Sequence, residues 1–237
     1  MIGVLVNGAA VILGGILGLL FKKGISKSIE TSINKAMGIV VVIIGLNGVI
    51  STMFTVNAEG GLKSGGELLL VVSFAIGTLI GEMLKLDDKF NSFSYGLEHR
   101  FKIDGFTTGF VTASSLFCIG AMAIIGSINS GLSGDHSTLF TKSIIDGVTA
   151  VVLAASLGIG VMFSAIPVML YQGAIALLAG FLSNILIGEL LLQVTMVGYT
   201  LIICVGLNLM ATLKFKTINM LPALLVPVIY AWFLQIL

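Results

Sequence analysis

This sequence is short of charge. Only 10% of its 237 residues are Asp, Glu, Lys or Arg, against about 25% in an ordinary soluble domain. A water-soluble protein needs roughly 25–35% charged residues on its surface, so a soluble globular fold is excluded. The net charge of +1 excludes the basic field of a nucleic-acid binder. It equally excludes disorder, which needs high net charge and low hydrophobicity. Cysteine is almost absent: Cys118 and Cys204 each sit inside an apolar run, so there is no disulfide framework and no CxxC metal pair. His99 and His136 stand in different loops, and no His/Asp/Glu cluster has metal-ligand spacing. No metal and no cofactor is expected.

What is present is apolar. Hydrophobic residues make up 57% of the chain and glycine contributes 30 more positions, with a mean hydropathy of +1.14. The class these numbers leave is an all-α, polytopic transmembrane helical bundle. The apolar stretch from Met1 to Phe21 lacks a basic n-region and is followed by Lys22 and Lys23. That is the reverse of a secretory signal, so it is read as the first span.

A hydrocarbon core of about 30 Å asks for ~20 apolar residues per helix. That ruler marks about eight spans: 1–21, 36–56, 66–84, 106–128, 140–162, 164–187, 189–211 and 217–237. The apolar run from Ile144 to Ile187 must fold back, with Gly158, Gly160 and Pro167 as its break signals. With the N-terminus outside, Lys22, Lys23, Lys27, Lys35, Lys85, Lys89, Arg100, Lys102, Lys214 and Lys216 lie in inner loops. Only Lys63 and Lys142 then lie outside, a bias that puts both termini outside the cytoplasm. Tyr230 and Trp232 suit an aromatic belt at the outer interface.

In 85–105, Leu86, Phe90, Phe93, Leu97 and Phe101 recur at helical spacing among Asp87, Asp88, Lys89, Glu98 and Arg100. One greasy and one charged face predict a cytoplasmic amphipathic helix lying on membrane lipid. Ile25, Ile29 and Ile33 repeat the pattern beside Lys27 and Lys35.

The stretch from Asn7 to Leu17 can be laid over Gln172 to Leu182, matching Gly8, Ala9, Leu13, Gly15 and Leu17 to Gly173, Ala174, Leu178, Gly180 and Leu182. After a short slip, Gly45-Leu46-Asn47 matches Gly206-Leu207-Asn208. Spans one to three then resemble spans six to eight, and five crossings between the copies turn the second upside down. Inverted repeats are a transporter signature, with the site at their interface. Within the single integral membrane domain 1–237, this gives repeat A (1–84), the interfacial helix (85–105), central helices (106–162) and repeat B (163–237).

The order of segments carries a resemblance. Its specific block is Cys118-Ile-Gly-Ala-Met-Ala-Ile-Ile-Gly-Ser-Ile, then Gly131-Leu-Ser-Gly-Asp135, Lys142-Ser-Ile-Ile-Asp146-Gly, and Ser164-Ala-Ile-Pro167 with Tyr171-Gln172-Gly173. It resembles the bacterial integral-membrane family of unknown function 554, the YdfK/YqgA-type inner-membrane proteins, over essentially the full chain. The resemblance implies a bacterial or archaeal cytoplasmic membrane and no particular activity.

Gly126, Gly131 and Gly134, with Ser127, Asn129, Ser130 and Ser133, interrupt the apolar pattern at the outer end of span four. They are read as an irregular loop, either an ordinary outer loop or one lining a cavity. Asp146 lies about two turns into span five, where a carboxylate costs roughly 2.5–3.5 kcal/mol and should face protein or water. Two readings stand for it: an ion-coupling site, or an interfacial pair with Lys142 one turn earlier. Glu67 and Glu189 begin their spans, where a carboxylate suits the helix dipole. Asn7, Asn47, Gln172 and Asn208 lie inside spans, where amides clamp helices together or bind substrate. The small-residue stripes Ser73-Gly77-Gly81 and Gly14-Gly18 fit packing within one molecule or a homodimer.

Enzyme motifs fail. Gly60-Gly61-Leu62-Lys63-Ser64 has leucine where a phosphate loop needs glycine, and Asp135-His136-Ser137 are chain neighbours, whereas a catalytic triad converges from the fold. The function expected is a small secondary transporter of a small solute, ion-coupled through Asp146, with Asn7, Asn47, Gln172 and Asn208 binding substrate. A strong anion is disfavoured, since no Lys or Arg is read inside the membrane. The alternatives are a non-transporting scaffold or sensor, and a channel.

Overall fold

Small residues line the helix faces that meet, and large apolar side chains point away from them. On α1 (Ile2–Lys22), Gly3, Gly8, Gly14, Gly15 and Gly18 are buried, while Leu5, Leu13, Leu17 and Leu20 are exposed. This inverts the pattern of a soluble helix and is what lipid-facing helices show, because hydrocarbon gives leucine no reason to hide.

The computed structural model describes residues 1–22, 26–56, 60–101, 106–118, 121–182, 188–210 and 214–236. After α1 come α2 (Lys27–Met53), the strands β1 (Phe54–Val56) and β2 (Leu62–Ser64), α3 (Glu67–Leu84) and α4 (Leu86–Phe101). Then follow α5 (Phe106–Cys118), α6 (Ala121–Leu132), α7 (Ser137–Leu157), α8 (Gly160–Phe163), α9 (Ala165–Leu177) and α10 (Ala179–Leu182). The chain ends with α11 (Gly188–Leu209), α12 (Thr217–Met220), a 3₁₀ turn (Leu221–Leu225) and α13 (Val226–Ile236). The described residues form two compact units, Met1–Met37 with Asn91–Ile185, and Gly38–Phe90 with Leu186–Leu237. The unit boundaries fall inside the segments 1–84, 85–105 and 163–237, whereas 106–162 lies wholly within the first unit.

In the first unit α1 and α7 run side by side in the same direction. Gly14 faces Gly147 and Ala150, and Gly18 faces Val151 and Ala154; a Cβ at either glycine would strike backbone oxygen. On its other side α1 meets α8 and α9, with Gly8 against Met169 and Gly15 against Met162. The hairpin after α7 turns at Gly158, whose φ of +85° suits glycine and whose Cβ would come 2.9 Å from Lys22 Nζ. Pro167 falls in the first turn of α9, where its missing N–H costs no helical bond.

In the second unit α2 lays Gly38 and Gly45 against Gly206 and Ile203 of α11. Gly77 and Gly81 of α3 pack on Ala223 and Asn219. Both small-residue stripes, Gly14-Gly18 and Ser73-Gly77-Gly81, are therefore used inside a unit, not on an outer face. β1 and β2 pair antiparallel, with Thr55 opposite Lys63.

Among the described residues six helices are long and apolar enough to cross a membrane: Ile2–Lys22, Thr31–Met53, Glu67–Leu84, Ser137–Leu157, Gly160–Leu177 and Gly188–Leu209. Two of the expected spans differ. Between 106 and 132 the chain is a pair of helices bent by 61°, a break hidden in sequence by an unbroken apolar run. At the C-terminal end the apolar helical stretch is the shorter Thr217–Ala231, interrupted by the 3₁₀ turn that holds Pro222.

Three local expectations are corrected. Gly126, Ser127, Asn129, Ser130 and Gly131 are helical in α6, because their small size lets α6 approach Leu139 and Ala176. α7 begins at Ser137, three residues earlier than expected, and the Asp135 carboxylate accepts the Ser137 N–H at 2.9 Å just before it. Lys142, the sixth residue of α7, is buried and is therefore not the hydrated outer-loop lysine expected from sequence. A helix does run through Leu86–Phe101, with Lys85 in the left-handed region at φ 51°. The side chains of Phe93, Leu97, Glu98, His99, Arg100 and Phe101 lie outside the described residues, as do Lys23, Ile25 and Lys102 and the side chains of Lys27 and Trp232.

Candidate functional site

Asp146 is the tenth of the 21 residues of α7, about 14 Å from its start at 1.5 Å per residue. It is mid-helix, and only 4% exposed. Lys142, one turn earlier, aims its ammonium at both carboxylate oxygens, 2.8 Å from Oδ1 and 2.7 Å from Oδ2. α1 adds Asn7, whose Nδ2 donates to Asp146 Oδ2 at 3.1 Å and to Gln172 Oε1 of α9 at 3.2 Å. Asn7 and Gln172 are both 0% exposed. Four polar side chains from three helices thus form one buried network.

The orientation of both amides follows from the chemistry. Turning Asn7 would set its oxygen against the carboxylate, and turning Gln172 would set two NH₂ groups face to face. In the arrangement that works, Asn7 Oδ1 and Gln172 Nε2 are left buried with no hydrogen-bond partner among the described residues. Each such atom costs ~1–3 kcal/mol if nothing satisfies it.

The surroundings are built in layers. Val4, Leu139 and Ala176, each about one turn from Asn7, Lys142 and Gln172, pack together as a buried apolar group. Leu139 is wedged between Gly3 and Gly126, whose lack of side chains makes room for it. Beyond that layer Ser130 Oγ lies 2.9 Å from His136 Nδ1. There too stands Asp135, its carboxyl held below the usual carboxylate range, first of all by the Ser137 N–H. α5, which ends at Cys118, packs against both α7 and α9.

Three of the five residues singled out from sequence, Asn7, Gln172 and Asp146, meet in this network. The other two do not join it. Asn208 is occupied locally, its amide donating to the Phe215 carbonyl at 2.9 Å and accepting the Phe215 N–H at 2.8 Å. Asn47 lies on an exposed face of α2, where its carbonyl accepts the Ser51 hydroxyl at 2.7 Å. Lys142 is the member that sequence reading placed at the interface; its i, i+4 spacing to Asp146 was the available signal. Among the described residues no three His, Cys, Asp or Glu side chains gather to hold a metal.

The family model described as protein of unknown function DUF554 matches residues 2–232. The chain belongs to that family. It is 35% identical over 227 residues to the uncharacterized membrane protein YdfK of Bacillus subtilis (strain 168), covering 96% of this chain and 94% of the relative. It is 30% identical over 241 residues to the uncharacterized protein YqgA of Escherichia coli (strain K12), covering 98% and 97%. No solved structure matches it. With six apolar helices of spanning length, it is a membrane protein.

Proposed function

We propose that this chain is a small secondary transporter of a small solute in the bacterial cytoplasmic membrane, coupled to protons through Asp146. The observation that carries the reading is the Lys142–Asp146 pair at mid-helix, tied to Asn7 and Gln172, on helices against which the first limb of the bent pair packs. Ionisable side chains inside membrane spans are expensive and mark ion and substrate pathways, and interrupted helices near such groups are how transporters build sites. A proton is the ion that suits the chemistry. Both carboxylate oxygens already face N–H donors, which leaves a metal cation short of the oxygen ligands it would need.

An inverted repeat is supported by which helices touch. Asn7 and Gln172, equivalent in the sequence overlay, are hydrogen-bonded to each other. Gly206, the counterpart of Gly45, belongs to the helix on which Gly45 packs. Counterparts that pack on each other are what a two-fold axis lying between them would produce. Under this reading the bent pair 106–132 and the stretch 217–231 complete eight spans, with both termini outside. The Val4–Leu139–Ala176 layer closes the outer path to the network.

Proteoliposomes loaded with a pH-sensitive dye test the proposal. A solute panel should include at least one member whose addition acidifies the lumen saturably, and Asp146→Asn should abolish that response. A panel in which no solute moves protons differently from empty vesicles would remove the reading.

A further inference from the structure

We propose that the Asn7–Gln172 amide pair is the recognition element for an uncharged solute carrying a hydrogen-bond donor beside an acceptor, of the hydroxyl or carboxamide class. This rests on the transporter reading and names its substrate. Lys142 and Asp146 satisfy each other at 2.7 Å, so the network has no net charge to offer. A charged solute would have to displace one of them from its partner and shed its own hydration, a penalty of several kcal/mol per buried ion. What the network does leave open is one acceptor and one donor, Asn7 Oδ1 and Gln172 Nε2, both unpartnered among the described residues on side chains with no solvent exposure. They belong to two amides already joined by the 3.2 Å bond from Asn7 Nδ2 to Gln172 Oε1. A solute that donates to the first and accepts from the second completes both amides at once. A site built to hydrogen-bond such groups rejects analogues lacking them far more sharply than an apolar pocket discriminates by size. A small apolar solute would leave both atoms unpaired, and a cation or an anion could use only one of them.

The test uses the full chain in lipid nanodiscs with acetamide, urea and glycerol as probes, read by saturation transfer from protein to solute. Transfer to at least one probe is expected. Gln172→Leu and Asn7→Leu should each weaken it about tenfold, the loss of roughly one hydrogen bond. Ser51→Ala, on α2 in the other unit, should leave it unchanged. Gln172→Met keeps the length of the side chain and removes only its polar end, so it serves if the shorter replacement does not fold. Absence of transfer from all three probes, with the amides satisfied by water alone, overturns the inference. So does transfer that survives both amide substitutions. Osmotic re-swelling of reconstituted vesicles separates this from the transporter reading. Binding without re-swelling in the bound probe leaves the recognition site and removes transport. Re-swelling in sodium acetate or methylammonium chloride, with none in the neutral probes and no binding of them, leaves transport and removes the neutral class.

Discussion

Lys142 and Asp146 are joined through both carboxylate oxygens, at 2.8 and 2.7 Å, with neither residue more than 6% exposed. A pair so buried is asymmetric under mutation. Lys142→Met leaves a bare carboxylate, and Asp146→Leu a bare ammonium; each should cost ~3–5 kcal/mol. The double variant removes both charges and should recover most of that loss. Unfolding in detergent, followed for the four proteins, should give strongly non-additive losses. Additive losses would mean that the two side chains do not depend on each other.

The two amides should respond unequally. Asn7 holds two hydrogen bonds, to Asp146 and to Gln172. Asn7→Leu therefore strips a partner from each and should destabilise by ~1–3 kcal/mol. Gln172→Leu removes one bond but also the unpartnered Nε2, so its effect on stability should be smaller. Thermal melts in one detergent decide the order, and a larger loss for Gln172→Leu would contradict the network as described.

Glycines at close helix contacts should be intolerant where others are not. A Cβ on Gly18 would meet the Val151 carbonyl and Ala154, whereas one on Gly173 would find only Met1 Cε at 3.9 Å. Gly18→Ala should lower stability by ~1–3 kcal/mol through overpacking. Gly173→Ala should be neutral or stabilising by up to ~1 kcal/mol from helix propensity. Equal melting shifts for the two would show that α1 and α7 do not pack as closely as this.

The Asp135 carboxyl, fully exposed and held low chiefly by the Ser137 N–H, gives a pH dependence whose sign is fixed. A carboxyl with a lowered folded pKa stabilises fully above its unfolded value of about 3.9, and the stabilisation is lost as pH falls through the folded value. Amide exchange at the start of α7 should accelerate in acid more than the intrinsic rate change explains. Asp135→Asn keeps an acceptor without the charge and should flatten that excess.

What was legible in the sequence follows from what each signal measures. The apolar runs, the depth of Asp146 and the hairpin at Gly158 are properties of composition and local geometry, and the structure carries all three. The burial of Lys142 was not legible, because it comes from the packing of α1 and α6 against α7 and not from residue type or local spacing. Asn47 and Asn208 read alike as intramembrane amides, yet one faces out and the other fastens the Phe215 loop. Residue type and spacing do not distinguish those fates. Nor did hydropathy register the 61° bend after Cys118, since a helix may break without becoming polar.

Topology has an independent check. With both termini outside, a C-terminal fluorescent fusion that matures only in the cytoplasm should stay dark. Bright cells would reverse the orientation drawn from the lysine and arginine bias.

The most direct measurement compares the wild-type chain with the doubly apolar variant Lys142→Met/Asp146→Leu in dye-loaded proteoliposomes, after unfolding curves have established that the variant is folded. If the buried pair is the coupling site, the variant keeps its fold and loses solute-driven proton movement altogether. A folded variant that still drives protons at the wild-type rate would make Lys142 and Asp146 a structural pair and place the chemistry elsewhere.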